Sequence, residues 1–371
     1  MADFFSVEFL ATLRDHLLPG LWPLLVAFAA CAVVVPLMIR LSRWSGVMAM
    51  PSERHPHTKP TPLLGGVALF VGFAVAVVIF VPQSQMTIGV LVVSGLATLL
   101  LIADDRWPVR PAVKFGLQLL VALVAVFVFG FVVTFVGLPS LGGERPIVQL
   151  MWLGIPISLF WLLGMQNTVN FLDGADGLAA GVVFIVALTL LIAAAGQNQI
   201  DVVQLAGALA GTCAGFLLFN FHPARIFMGD SGAHFLGAAL GVISILGVAK
   251  VAVAFALAAP ILALALPIAD TTWAIVRRRF TRASVPDLLH IHHRLQAFGL
   301  NQRQTCYVYY AATAGFGTVG LLLFGHRRIL AVVLVMGLAL ASTIAADRLQ
   351  KAGLRIHAPF LGRLLAEPSS R

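Results

Sequence analysis

The feature that most constrains this chain is a series of long apolar runs, recurring from residue 21 to residue 346 with few charges inside them. A bilayer core of roughly 30 Å is crossed by about 20 apolar residues in a helix. Eleven stretches approach or reach that length, near 21–41, 63–82, 86–103, 112–136, 148–166, 177–196, 202–220, 233–249, 251–275, 305–324 and 328–346. The runs are continuous and not alternating, so a closed barrel is excluded and helices remain, which satisfy their own backbone groups inside lipid. The predicted fold is an all-α integral membrane protein: a bundle of about 11 transmembrane helices forming one domain over residues 1–371. Residues 1–20 read as an interfacial segment, 276–304 as a long loop and 347–371 as a tail. No removable signal peptide is expected. Cys31, Cys213 and Cys306 lie far apart, in or near apolar runs, and read as reduced structural thiols.

Orientation follows from the basic residues, which favour the cytoplasmic side. Eleven spans place Arg40, Arg43, Arg54, Lys59, Arg106, Arg110, Lys114 and Arg225 on one side, with the Arg277–Arg303 group and the tail cations. Only Arg14, Arg145, Lys250, Arg327 and Arg328 fall on the other. The N-terminus is therefore predicted outside and the C-terminus in the cytoplasm. The net charge of +9 mostly reflects this bias; it also favours anionic lipids and phosphorylated substrates. Nothing resembles a nucleic-acid module.

Charged residues are only 11% of the chain, so the placing of its carboxylates is informative. They gather in segments assigned to the cytoplasmic side. Asp104-Asp105 follows an apolar run directly. Ionised carboxylates at that depth are costly unless paired or wet, which implies a cation, water or Lys114 nearby. Two adjacent like charges also suit a proton acceptor. Next, Asn170, Asp173 and Asp176 recur at every third residue, with Asn167 on the same expected helical face and Gly174 and Gly177 breaking it. Amide and carboxylate oxygens suit Mg²⁺, which prefers few protein ligands plus substrate phosphate oxygens. Asp230, flanked by Gly229 and Gly232, is placed to complete such a site, while His222 beside Pro223 reads as a loop or capping residue. His290, His292, His293 and Arg294 suit anion binding better than zinc, since no cysteine lies near them.

Taken in order, these segments resemble the polyprenyl-phosphate N-acetylhexosamine-1-phosphate transferases, also called glycosyltransferase family 4. The residues that carry the resemblance are Lys59 to Gly66, Asp104-Asp105 with Lys114 and Gln118, and Asn167 to Leu178. Phe219 to Gly232 and His290 to Gln304 complete it. The histidine motif is similar to the branch that transfers N-acetylglucosamine 1-phosphate to undecaprenyl phosphate. The chain departs from the family pattern at Ala233-His234, where many members carry serine, and at Leu288 after Pro286-Asp287.

The resemblance implies a bacterial inner-membrane enzyme with its active site on the cytoplasmic face. It implies transfer of N-acetylglucosamine 1-phosphate, or a related N-acetylhexosamine 1-phosphate, from a UDP-sugar to undecaprenyl phosphate. UMP would leave, in the first membrane step of a surface polysaccharide. UDP-deoxy-amino sugars and UDP-muramyl-pentapeptide are the alternative donors, and O-antigen synthesis is one expected destination. Mg²⁺ is the implied cofactor, with Mn²⁺ as a substitute, and Asn170 and Asp230 are its implied ligands. Asp104 with Asp105 would deprotonate or orient the lipid phosphate, and Asp173 would support the metal region. Asp176 and Phe227 would hold the uracil end, and Lys59, Lys114, His290, His292, His293 and Arg294 the diphosphate and sugar. Direct in-line attack and a covalent aspartyl intermediate both remain open, as does a homodimer. An ion-coupled transporter is the rival of a different class. It would hold its carboxylates near span centres.

Overall fold

The computed structural model describes residues 7–50, 60–107, 109–137, 147–247 and 301–323. Lys59, His290, His292, His293 and Arg294 lie outside them, as do the runs near 251–275 and 328–346, most of the 276–304 loop and the tail.

Nine α-helices dominate the described residues. They are α1 (Val7–Ser45), α2 (Gly65–Phe80), α3 (Gln85–Arg106), α4 (Pro111–Leu123), α5 (Gly154–Leu172), α6 (Leu178–Ala195), α7 (Ile200–Asn220), α8 (Gly229–Leu246) and α9 (Gln302–Leu323). Two antiparallel pairs of very short strands punctuate them: β1 (Met48–Ala49) with β2 (Thr61–Pro62), and β3 (Phe135–Gly137) with β4 (Ile147–Gln149). The chain is an all-α membrane protein. Six stretches among the described residues are long and apolar enough to cross a bilayer: Asp15–Ser45, Gln85–Arg106, Pro111–Val128, Leu178–Ala195, Ile200–Asn220 and Gly229–Leu246.

Two boundaries differ from the sequence reading, and both matter. The predicted span at 148–166 begins instead as strand β4, and α5 then runs on to Leu172. That shift brings Asn167 and Asn170 into its last turns. The second difference concerns the expected single face of Asn170, Asp173 and Asp176. The helix stops at Leu172, Asp173 caps its end, and residues 173–177 form a turn into α6. The break falls at the glycines: Gly177 has φ of 82°, a left-handed conformation that costs other residues strain. The three polar residues therefore do not share one helical face.

The most apolar stretches of α6 and α8 are 83% buried and that of α1 only 17%, so α6 and α8 are central and α1 is peripheral. What attaches α1 is a row of glycines. Gly207, Gly211 and Gly215 recur every fourth residue on α7, and a Cβ on each would collide with the carbonyl oxygens of Gly20, Leu24 and Phe28 on α1. Lipid tails are as apolar as leucine, so helix association in a membrane relies on such close backbone approach. Beside that row, Thr212 Oγ1 of α7 donates to Leu69 O of α2 at 2.8 Å. Phe235 of α8 then receives the Phe70 and Phe73 rings of α2 edge-on, with centroids at 5.9 and 5.7 Å.

These packings predict a contrast between two glycines. Gly211→Ala drives a methyl group into the α1 backbone and lowers thermal stability in detergent by roughly 1–3 kcal/mol. Gly116→Ala meets nothing within 4 Å and leaves stability unchanged or slightly raised. Equal melting temperatures for the two variants would contradict the close α1–α7 contact.

Candidate active site

The described chain collects its polar side chains at one end of the bundle, where α3, α5 and α7 finish and α2, α4, α6, α8 and α9 begin. The start of α2 is held by backbone bonds. Gly65 N and Gly66 N donate to Phe227 O and Met228 O at 3.1 and 2.9 Å, and Phe227 N donates to Pro62 O at 2.8 Å. A Cβ on Gly66 would collide with Ser231 and Gly232, so the paired glycines let α2 and α8 begin against each other.

Asp105 ties α3 to α8. Its Oδ1 accepts from Asp230 N at 2.6 Å, and its Oδ2 from Ser231 N at 3.3 Å and Ser231 Oγ at 2.5 Å. These amides belong to the first turn of α8, which has no partners of its own there, and a carboxylate also complements the positive end of the helix. Gly229, with φ of 68°, makes the turn, and any Cβ there would strike the same carboxylate. Three donors converge on Asp105. In this geometry it holds the start of α8.

Asp104 points elsewhere. Its Oδ1 accepts from Val109 N at 2.7 Å, and its Oδ2 lies 3.3 Å from Lys114 Nζ of α4. Lys114 also lies 2.6 Å from Asp230 Oδ1 of α8, which accepts from Asn170 Nδ2 of α5 at 2.6 Å as well. One ammonium and one amide thus join four helices around two carboxylates. Asp173 follows at the end of α5. Desolvation first, and then the charges of Asp230, Asp105 and Asp176, hold its carboxyl well above the usual carboxylate range. The cluster carries more negative charge than Lys114 neutralises.

Asp176 braces a second loop. Its Oδ2 accepts from His222 Nδ1 at 2.8 Å and from Ala224 N at 3.1 Å. Asn220 Oδ1 accepts from Gly177 N at 3.1 Å, while Asn220 Nδ2 donates to Ile226 O at 2.9 Å. From α9, Arg303 Nε donates to His222 O at 2.9 Å and Tyr310 Oη to Gly177 O at 2.6 Å. Asn220, Ser231, Arg303 and Tyr310 are parts of the site that sequence reasoning did not single out for these tasks. Gly177, three residues before the buried Ala180 in a run of small residues, was the available hint that a neighbour packs closely; Tyr310 lies against Gly181 one turn on.

The structure thus brings together Asp104, Asp105, Lys114, Asn170, Asp173 and Asp230. Asp176 stands one turn away, and Phe227 contributes through its backbone. The oxygens present fit a hard divalent cation: Asp230, Asp104 and Asp173 offer carboxylates and Asn170 an amide. Among the described residues no group of three or more His, Cys, Asp or Glu is arranged as a metal cage. A set of carboxylate and amide oxygens is the chemistry Mg²⁺ accepts, its other oxygens coming from water and substrate phosphates.

Residues 87–248, which carry most of this cluster, match the family described as Glycosyl transferase family 4. The Bacillus subtilis protein named "Probable undecaprenyl-phosphate N-acetylglucosaminyl 1-phosphate transferase" is 36% identical over 77% of this chain and 80% of its own length. The decaprenyl-phosphate N-acetylglucosaminephosphotransferase of Mycolicibacterium smegmatis is 34% identical over 90% of this chain and 87% of its own. A phospho-N-acetylmuramoyl-pentapeptide-transferase of Moorella thermoacetica is 33% identical, over 62% of this chain and 76% of its own. Similarity that spans both lengths and includes the carboxylate–lysine cluster has one reading: the chain belongs to glycosyl transferase family 4, the polyprenyl-phosphate N-acetylhexosamine-1-phosphate transferases.

Proposed function

We propose that this protein transfers N-acetylglucosamine 1-phosphate from UDP-N-acetylglucosamine to undecaprenyl phosphate and releases UMP. The observation that carries the reading is the Asp104–Lys114–Asp230–Asn170 cluster at the ends of membrane helices, in a chain similar along most of its length to transferases of that class. In the transfer, an oxygen of the lipid phosphate bonds to the sugar-bearing phosphorus. The bond from that phosphorus to the bridging oxygen breaks, and UMP departs with the electron pair. Both reactants are anions, so the barrier is largely electrostatic.

Each residue then has a task. Lys114 offsets phosphate charge from its place between Asp104 and Asp230. Asp104, the less exposed of the two at 7% against 28%, orients the lipid phosphate or takes its proton. Asp105 holds the first turn of α8 and so aims Asp230. Mg²⁺, held by Asp230 and Asn170 near Asp173, would supply charge neutralisation at the diphosphate. The beginnings of α2, α4, α6 and α8 at this end add favourable potential for anions.

The same end collects Arg40, Arg43, Arg106, Arg110, Lys114, Arg225 and Arg303, which supports a cytoplasmic active site in a bacterial inner membrane. An eleven-span bundle with the N-terminus outside agrees with that placement. The similarity to a muramyl-pentapeptide transferase supports that nucleotide as the alternative donor.

The test uses purified protein in nanodiscs with undecaprenyl phosphate, Mg²⁺ and each UDP-sugar, measuring UMP and lipid product. UMP release with UDP-N-acetylglucosamine is expected, lost with EDTA and restored by Mg²⁺ or Mn²⁺; no UMP from any donor overturns the reading. Asp230→Asn and Asp104→Asn are each expected to lower kcat by about 100-fold or more. Asp105→Ala is expected to lower the melting temperature too, because it strips the α8 cap, at about 1–2 kcal/mol. Asp173 gives a pH signature. Its raised carboxyl binds more protons folded than unfolded, so metal-free stability falls as pH rises above the ordinary carboxylate range. Asp173→Asn should flatten that slope in thermal melts with EDTA.

A further inference from the structure

Below the catalytic cluster lies a second polar tier, one helical turn deeper. Each of three helices repeats the upper tier there: Gln118 four residues after Lys114 on α4, Asn167 three before Asn170 on α5, and His234 four after Asp230 on α8. The lower residues are joined to one another as the upper ones are. Asn167 Nδ2 donates to Gln118 Oε1 at 2.9 Å, and Gln118 Nε2 donates to His234 Nε2 at a longer 3.4 Å. Gln166 Nε2 adds a long bond to Gln118 O, at 3.5 Å.

The chemistry assigns the tautomer. The Gln118 amide nitrogen can only donate, so His234 Nε2 accepts and its ring hydrogen sits on Nδ1. That Nδ1 is buried with no partner among the described residues, and His234 is 0% exposed. The bond to Gln118 is thus the ring's one hydrogen bond among the described residues, in surroundings where such bonds are strong and their loss is costly.

Helix α4 makes this tie consequential. Its buried residues are only Gln118, Val121 and Ala122, and the first of these is the sole buried residue in its opening two turns. Pro111, Ala112, Val113, Phe115 and Gly116 are exposed. Leu117 is only half-buried there, so apolar packing grips the helix end that carries Lys114 weakly. The Gln118 amide is the buried hold on its rotation and depth, tied to α5 on one side and α8 on the other.

We infer that His234 is a positioning residue for the transfer: by accepting from Gln118 it sets the register of α4 and keeps Lys114 between Asp104 and Asp230. The inference rests on the transferase reading. A misplacement of about 1 Å in a reacting assembly lowers turnover by as much as 100-fold.

The test compares wild type, His234→Leu, His234→Gln, Gln118→Met and the Gln118→Met/His234→Leu double variant in nanodiscs. It measures kcat and KM for UDP-N-acetylglucosamine, and hydrogen exchange of the backbone amides at residues 111–118. His234→Leu keeps apolar bulk without an acceptor, and is expected to lower kcat by about 10- to 100-fold with KM nearly unchanged. Exchange at 111–118 should quicken while α6 stays protected. His234→Gln, whose amide oxygen can accept, should recover most of the rate and the protection. The double variant should be no worse than the worse single one, because both cut one connection. Unchanged kcat and exchange in His234→Leu, or no recovery in His234→Gln, overturns the inference. A wild type that releases no UMP sinks the transferase reading instead, and the exchange comparison still decides whether His234 holds α4.

Discussion

The capping of α8 by Asp105 is the contact on which the site depends. Neighbouring residues on a helix point about 100° apart. At the end of α3 this divergence splits an aspartate pair into two tasks: Asp105 turns to the first amides of α8, and Asp104 to Lys114. Because Asp230 is itself one of the capped residues, the bond that secures the helix also aims its carboxylate. Gly229 is required twice over, for its left-handed backbone and for the space the carboxylate fills.

Around that contact, among the described residues, the carboxylates outnumber the cations that pair with them. Lys114 bridges two carboxylates, and Asp173 is repelled by Asp230, Asp105 and Asp176. Such an arrangement is poorly suited to stability alone, since buried carboxylates without counter-charge are costly. It is well suited to a divalent cation that arrives with a diphosphate. The rest of the bundle provides the rigidity. Glycines on α7 clasp α1, rings of α2 and α8 interlock, and Asn220 and Tyr310 pin the turn that begins α6.

Much of this was legible in the sequence. Apolar runs of bilayer length indicated membrane helices, and carboxylates at the ends of those runs indicated where a polar cluster would form. The motif order indicated the family. Gly65-Gly66 ends the first segment that carries the resemblance, and the pair lets α2 and α8 begin against each other. Other elements were not legible. Periodicity alone made Asn170, Asp173 and Asp176 one helical face, because a spacing of three carries no mark of where the helix stops. The Gly207, Gly211 and Gly215 row was readable as a membrane packing motif, but its partner on α1 was not. Arg303 and Tyr310 come from more than 80 residues beyond His222, and local pattern does not report such contacts.

By itself the sequence determined the solvent the chain folds in, the ends of apolar runs at which many of its few carboxylates stand, and the family to which it belongs. Those follow from composition, run length and motif order, which need no neighbours in space. Tertiary structure alone decided which aspartate caps and which faces Lys114, and that Asn170 reaches Asp230 across helices. It also decided that His234 and Gln118 form a second tier beneath them. Each of these outcomes depends on how far one helix is rotated against another, a quantity set by packing between segments distant in the chain.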